Sequence, residues 1–386
     1  MPRARGTSIA LHDKTVRKNL TLVTPGPVKI PALIHEYLVN PPCNYHRQEG
    51  FGMMFDENQR DLKQLLGIKD PNAFFVTTLL ASGTGTNESA MRAMSVLGKG
   101  LILRNGFFGQ RLVDQCSRTG IEHDVYDAPF DRPFEIAALN DFLASNAGNY
   151  KWAYFISHET RATLKNPLEA IGRTLKAHGL VVGADCVSSA FAYKLDIEDA
   201  QLDFMVCTTS KALMAVPGLG FVLCRHTVMA ALKAAGKADA YYLDLVGEYE
   251  KQKKERAPRF GQPVELHAAV RAACLHLLQV GIENHHRRIQ SQMHELIGHL
   301  QTLGVTALLE DKYRANVVVN FLLPSGLEYA EFQTLMAREG FYVLYGLIED
   351  PSMFQLCTMG DLTDLDVFGL KAAFNKVLHN RARAVA

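Results

Sequence analysis

Residues 204–225, "FMVCTTSKALMAVPGLGFVLCR", decide how this chain folds. Two short apolar runs, "FMVCTTS" and "GFVLCR", enclose one lysine, Lys211, and a Pro-Gly-x-Gly turn. Continuous apolar runs of this length, bounded by turn residues, read as strands buried on both faces. The link between them is short, so one of the two is expected to run antiparallel. Lys211 then stands at the end of a buried strand with no acidic residue beside it. A cation so placed needs a partner from elsewhere in the fold, or from outside it.

The same alternation extends upstream. "AFFVTTLLAS" reads as a strand and "GTNESAMRAMSVLG" as a helix; "GLILRNG" and "GQRLVDQCSRTG" repeat the pair. "HDVYDA", "KWAYFISHE" and "LVVGADC" are further strands, with helices through "FEIAALNDFLASN" and "PLEAIGRTLKAHG". Apolar strands alternating with amphipathic helices predict an α/β layered fold, with a mainly parallel central sheet flanked by helices. Downstream, "GEYEKQKKERAPRF" reads as a solvated helix end and loop. A helical region follows from about Gln262. A smaller C-terminal α+β unit comes after it, with strands at "NVVVNFLLP", "FYVLYG" and "MFQLCTMG". The expected division is a tail at 1–20, a large unit at 21–280 and a small unit at 281–386.

Composition excludes several classes. The chain has 386 residues, a formal net charge of +1 and 48% hydrophobic residues, enough for a large core and too balanced for a nucleic-acid or anionic-membrane partner. No window is long and apolar enough for a membrane span. Seven scattered cysteines with no CxxC pattern fit reduced thiols in a cytoplasmic protein. The N-terminus "MPRARGTSIALHDKTVRK" reads as a basic tail or a transit peptide, since its apolar run is too short for a secretory signal. In "HELIGH", His294 and His299 are five apart and diverge around a helix, so no metal site is expected. The His285–His286 pair is likewise read as a solvated helix face.

In open α/β sheets the ligand lies at the C-terminal ends of the strands. Four features gather there. "ASGTGTNES" brings Ser82, Gly83 and Thr84 to a helix N-terminus, either as an anion cradle or as an ordinary cap. Asp185 ends the strand "LVVGAD", where a carboxylate is costly to bury alone. Lys211 in apolar surroundings has a lowered pKa and is suited to a Schiff base. "NGFFGQR" places Phe107 and Phe108 past another strand, where one could stack on a flat ring and at least one is expected to pack in the core. A phosphate cradle, a strand-end carboxylate and a strand-end lysine fit pyridoxal 5'-phosphate: the lysine meets its aldehyde and the aspartate its pyridine nitrogen.

With these residues in view, the chain resembles the class V, fold-type I pyridoxal-phosphate aminotransferases. Within that family it is most similar to the 2-aminoethylphosphonate–pyruvate, alanine–glyoxylate and serine–glyoxylate transaminases. The stretches "TPGPV", "SGTGTNE", "NGFFGQR", "HET…NPL", "GADCVSS" and "SKALMAVPGLGF" carry the resemblance, which covers nearly the whole chain. It implies that Ser82, Gly83, Thr84, Thr209 and Ser210 hold the phosphate and that Phe108 stacks on the ring. It places Thr160 near the ring hydroxyl, Asp185 at the pyridine nitrogen, Val187 beneath the ring and Gly26 beside the substrate. Lys211 becomes the Schiff-base lysine. It also implies a homodimer with active sites at the subunit interface.

Three positions depart from the family pattern. Gln355, in "FQLCTMG", stands where the family has an arginine for the substrate's carboxylate or phosphonate. An amide cannot replace a bidentate guanidinium. Arg161 and Ala162 replace a small pair after "HET", and Arg161 is either a relocated anion clamp or a surface arginine. Val264 replaces a threonine expected to reach the partner's phosphate. The expected activity is amino transfer from a small amine or amino acid to a 2-oxo acid such as pyruvate or glyoxylate. A lyase or decarboxylating enzyme using the same cofactor is the alternative, favoured by the loss of the arginine. The intact Lys211 and Asp185 argue against a non-catalytic descendant.

Overall fold

The computed structural model of the chain describes residues 20–347 and 350–382. The basic N-terminal stretch lies outside the described residues. The central sheet has seven strands: β1 (Phe74–Leu80), β2 (Gly100–Arg104), β3 (His123–Asp127), β4 (Trp152–Ile156), β5 (Val181–Asp185), β6 (Phe204–Thr208) and β7 (Leu219–Arg225). Their spatial order is β1-β7-β6-β5-β4-β2-β3. β7 runs antiparallel to β1 and β6; the remaining pairs are parallel. The antiparallel strand is thus one of the two that enclose Lys211, as the short link demands.

Both sheet faces are covered. Along β4, Trp152, Tyr154 and Ile156 enter one apolar cluster, while Ala153 and Phe155 enter another. The period of two sends alternate residues to opposite layers, so the strand must be apolar throughout. The helix Gly83–Ser95 lies close on β7, where a Cβ at Gly220 would overlap Thr86.

The C-terminal unit has its own sheet, with β8 (Val318–Leu322), β9 (Leu344–Tyr345) and β10 (Met353–Cys357) in the antiparallel order β8-β10-β9. Its core includes Met293, Phe321, Phe332, Phe354 and Phe374. Val23 belongs to the same cluster, and Thr21–Leu22 pairs in parallel with Phe341–Tyr342. The stretch at 21–23 therefore packs with the C-terminal unit, although its place in the sequence groups it with the large unit.

Two local expectations need correction. "GEYEKQKKE" belongs to the helix Leu245–Glu255, one face of which is buried. There Gln252 donates its amide to the Thr78 carbonyl at 2.6 Å and accepts the Thr78 N–H at 2.9 Å, so a polar residue serves the backbone of β1. His285 is buried rather than solvated, and burial pulls its pKa down to about 3. Of the two phenylalanines after β2, Phe108 packs against an apolar cluster, while Phe107 is exposed and packs edge-on to Phe108. All seven cysteines are free, and all but Cys43 are buried. No helix among the described residues is long and apolar enough to cross a membrane.

Candidate active site

A cavity of about 220 Å³ is lined by residues at or after the C-terminal ends of β1, β2, β4, β5 and β6. The sheet thus gathers, at one edge, residues that lie far apart in sequence.

The helix Gly83–Ser95 begins at this edge. Ser82 is its N-cap, its Oγ accepting the Gly85 N–H at 3.4 Å. The cap leaves the other first-turn N–H groups for an anion. Gly83 and Thr84 line the cavity. A Cβ at Gly83 would stand 2.9 Å from a Val187 methyl, so only glycine lets the helix start this close to Val187.

Asp185 ends β5 and lines the cavity. One carboxylate oxygen accepts the Val187 N–H at 2.8 Å, and the other accepts the Asn87 amide at 2.6 Å. The buried Tyr154 hydroxyl donates to Asn87 Oδ1 at 2.7 Å, which fixes the amide so that its NH2 faces Asp185. Burial pushes the Asp185 pKa up; the two hydrogen bonds and the nearby Lys211 and Arg111 charges pull it back.

Lys211 stands in the turn after β6, which ends at Thr208, and its side chain lines the same cavity. Burial lowers its pKa to about 8. It has no ion pair with a carboxylate among the described residues. Gly26 packs directly on it: a Cβ there would lie 3.0 Å from Lys211 Cε and 3.1 Å from Nζ. A side chain at 26 would crowd the amine.

Phe108 lines the cavity from the helix Gly106–Arg118. Glu159 receives the Phe108 N–H at 3.3 Å and the N–H groups of Arg161 and Ala162 at 3.2 and 2.6 Å, joining the helix start to the segment after β4. Thr160 lines the cavity, and its hydroxyl touches that of Ser188. His158 does too; its Nδ1 faces the Ser188 carbonyl at 3.0 Å, Nε2 has no partner, and burial holds its pKa down at about 4. Ser210 is at the wall as well, beside Thr208. Of the residues singled out from sequence, the structure brings Gly83, Thr84, Phe108, Thr160, Asp185, Val187, Ser210 and Lys211 to one cavity.

Gly26 borders it through Lys211, and Thr209, Gln355 and Arg161 stand back from it. The Thr209 hydroxyl donates to the Val216 carbonyl at 2.6 Å and ties down the turn carrying Lys211. Gln355 is fully buried, with Nε2 donating to the Thr160 carbonyl and to Asn320 Oδ1, each at 2.8 Å. It acts as a brace between β10 and the segment after β4, with no N–H left for a ligand. Arg161 donates to the carbonyls of Gly346 at 2.9 Å and Tyr345 at 3.3 Å, and stacks 4.3 Å from the Tyr345 ring centroid. Asn87, Arg111, Gln115, His158 and Ser188 also line the cavity and were not singled out in sequence. For Arg111 and Gln115 the signal was their helical spacing from Phe108; for Asn87 it was its place one turn into the helix that starts at Gly83.

The donor set fits pyridoxal phosphate. A helix N-terminus with a hydroxyl, a carboxylate held by two hydrogen bonds, an aromatic side chain and an amine of lowered pKa meet in a space of suitable size. Gly83, Thr84 and Ser210 would hold the phosphate, Phe108 and Val187 the ring, Asp185 the ring nitrogen and Lys211 the aldehyde.

A layered α/β fold with this cavity defines a fold-type I enzyme of the pyridoxal-phosphate class. Residues 117–356 match the family model for class-V aminotransferases, and the chain belongs to that family. It is 26% identical over 351 residues to a 2-aminoethylphosphonate–pyruvate transaminase of Bacteroides fragilis, spanning 89% of this chain and 95% of that protein. It is 27% identical over 376 residues to one of Vibrio vulnificus, spanning 94% and 99%. Among solved structures, an aspartate aminotransferase of Thermus thermophilus superposes with a TM-score of 0.82 at 25% identity, covering 93% of this chain and 99% of that one. An alanine–glyoxylate aminotransferase of Nostoc sp. superposes with a TM-score of 0.85 at 23% identity, covering 93% and 95%.

Proposed function

We propose that this protein is a pyridoxal-phosphate-dependent aminotransferase acting on a small amine or amino acid, of the kind represented by 2-aminoethylphosphonate. The acceptor is a 2-oxo acid such as pyruvate or glyoxylate. The observation that carries this reading is the meeting of Lys211 and Asp185 in one cavity, with a phosphate-ready helix start beside them. Pyridoxal phosphate, when bound, supplies an electron sink for charge developing on the substrate carbon. The chain's residues do the rest. Asp185 presents a fixed carboxylate to the ring nitrogen. Lys211 Nζ, with its pKa near 8, can both accept and return a proton near neutral pH. Phe108 and Val187 offer apolar walls, and Gly26 leaves room for the amine. The family resemblance supports a homodimer. So does the exposed aromatic group of Tyr241 and Tyr242 around Phe260, since exposed apolar patches mark interaction surfaces.

A second reading, a lyase or decarboxylating enzyme, is favoured by one observation: Gln355 is closed into the protein and offers nothing to a keto acid's carboxylate. A panel of amines with and without pyruvate or glyoxylate separates the two. Transamination is expected to consume oxo acid and yield the corresponding amino acid one for one, with no ammonia. Turnover that releases ammonia or carbon dioxide and ignores the oxo acid would replace the first reading with the second. Borohydride reduction followed by peptide mapping is expected to find the cofactor on Lys211.

A further inference from the structure

Gln355 is sealed and Arg161 is engaged with main-chain carbonyls, yet the cavity does contain a guanidinium. Arg111 is the one arginine among its lining residues. It stands one turn after Phe108 on the helix Gly106–Arg118, so both face the cavity. Its guanidinium carbon lies 4.6 Å from the Phe108 ring centroid and 5.2 Å from that of Phe107. Nη1 donates to Thr84 Oγ1 at 3.2 Å. From the next turn, Gln115 donates to the Thr84 carbonyl at 2.8 Å. The same helix face thus grips the first turn of the helix that starts at Gly83.

Arg111 has no carboxylate within ion-pair distance among the described residues. It is partly desolvated, and the Arg161 charge repels it. Asp185 and Glu159 are near enough to act on it through space, but both carboxylates are hydrogen-bonded elsewhere. One hydroxyl leaves most of a guanidinium's N–H donors unused, and a planar fork of donors suits an oxyanion.

We propose that Arg111 binds an oxyanion in this cavity and that the oxyanion is the cofactor's phosphate, held jointly with Thr84. This rests on the pyridoxal-phosphate reading above. The bond to Thr84 selects the phosphate over an acidic group on the substrate, because it places the guanidinium at the helix start, where backbone N–H groups already favour a phosphate. Phe108 then has two tasks: it offers one ring to the cofactor and it keeps Arg111 in position.

The test compares the full chain, freed of cofactor, with its Arg111→Gln and Arg111→Lys variants, folding being checked by circular dichroism. Binding is measured for pyridoxal phosphate, for pyridoxal, which lacks the phosphate, and for inorganic phosphate. Arg111→Gln is expected to weaken pyridoxal phosphate about a hundredfold, the order seen when a charged hydrogen-bonding partner is lost. It is expected to leave pyridoxal within about fivefold, the cost of losing only the cation's contact over the Phe108 ring. Inorganic phosphate should bind the unaltered chain and not the glutamine variant, and lysine should restore part of the loss. Equal weakening of both aldehydes would mean a structural role, and no weakening of either would mean no role; each overturns the proposal. Unchanged cofactor binding with a raised KM for acidic donors alone would assign Arg111 to the substrate, and overturns it too. If the unaltered chain bound neither aldehyde, the cofactor reading would fail, while the inorganic phosphate arm would still decide whether Arg111 binds an oxyanion.

Discussion

At the scale of single residues, Asp185 and Lys211 get their chemistry from what surrounds them. Asp185 is oriented by Val187 and Asn87, and Asn87 by Tyr154. Asp185→Asn should keep the cofactor bound but slow turnover roughly a hundredfold or more, as when a charge-stabilising group is removed. Steady-state kinetics on the loaded variant checks this, and near-normal turnover would make Asp185 merely structural. For Lys211 the sign follows from burial, which favours the neutral amine and lowers the pKa from 10.5 to about 8. Between those values the unfolded chain holds a proton on this lysine that the folded chain has released. This group therefore makes the cofactor-free protein more stable as pH rises from about 8 to 10.5, and its contribution is absent from the change above that window. Capture of pyridoxal by the cofactor-free chain should accelerate as pH rises, with a midpoint near 8. A midpoint near 10.5, read from the rate of the absorbance change, would show an amine that burial has not altered.

At the scale of elements, two contacts hold the cavity's walls in register. The helix Gly83–Ser95 rests on β7 through Gly220, where an added methyl would meet buried Thr86. Thr86 cannot retreat easily, because its hydroxyl is bonded to the Ser82 carbonyl at 2.9 Å. Gly220→Ala should therefore cost about 1–3 kcal/mol, the usual range for overpacking. Urea denaturation measures that, and an unchanged midpoint would mean that the helix can shift freely. The second contact is the Gln355 brace. Gln355→Leu removes the donor of both bonds, taking from the Asn320 side-chain oxygen and the Thr160 carbonyl the hydrogen bonds they accept from it. Leaving a buried acceptor unpaired costs about 1–3 kcal/mol. If Gln355 is a brace and not a ligand, stability should fall while KM for amino donor and oxo acid changes little. A large KM effect at unchanged stability would place the amide in contact with substrate.

At the scale of the whole molecule, two cores meet beside one cavity. Val317, Val318, Cys357 and Met359 of the C-terminal unit join the cluster on the large sheet, while Phe321, Phe332 and Phe354 form the second core. Arg161 and Gln355 cross the same junction through Tyr345, Gly346 and Thr160. A ligand that binds only the folded chain stabilises it by mass action, about 2.7 kcal/mol at a hundredfold excess over its Kd. Pyridoxal phosphate should thus raise the thermal midpoint, and in Lys211→Ala the rise should shrink at the same cofactor concentration. An equal rise in both proteins would show that the lysine does not contribute to the hold. Light scattering is expected to give twice the monomer mass, and a monomer would remove the proposed role of the Tyr241–Tyr242–Phe260 surface.

The sequence by itself determined the layered α/β class, the antiparallel strand beside Lys211 and the family. The first two follow from local pattern: apolar runs alternate with amphipathic segments, and turn residues bound them; the family follows from the resemblance of motifs such as "SGTGTNE", "GADCVSS" and "SKALMAVPGLGF". It also marked Asp185, Lys211, Gly83, Thr84 and Phe108, because a charged or glycine-rich position at the end of an apolar strand stands out against its neighbours. Tertiary structure alone decided the partners. Asn87, Arg111 and His158 look like ordinary helix or strand-end residues until the sheet brings the strand ends together. Arg161 and Gln355 were ambiguous for the same reason: whether a guanidinium or an amide is free depends on carbonyls at Thr160, Tyr345 and Gly346, which lie far along the chain from one or the other. His285 and Gln252 are buried polar groups on helices that read as solvated, because a polar side chain can face inward wherever the fold supplies its contacts. Local pattern encodes which face is apolar; the satisfaction of each polar group is set by residues that only folding makes neighbours.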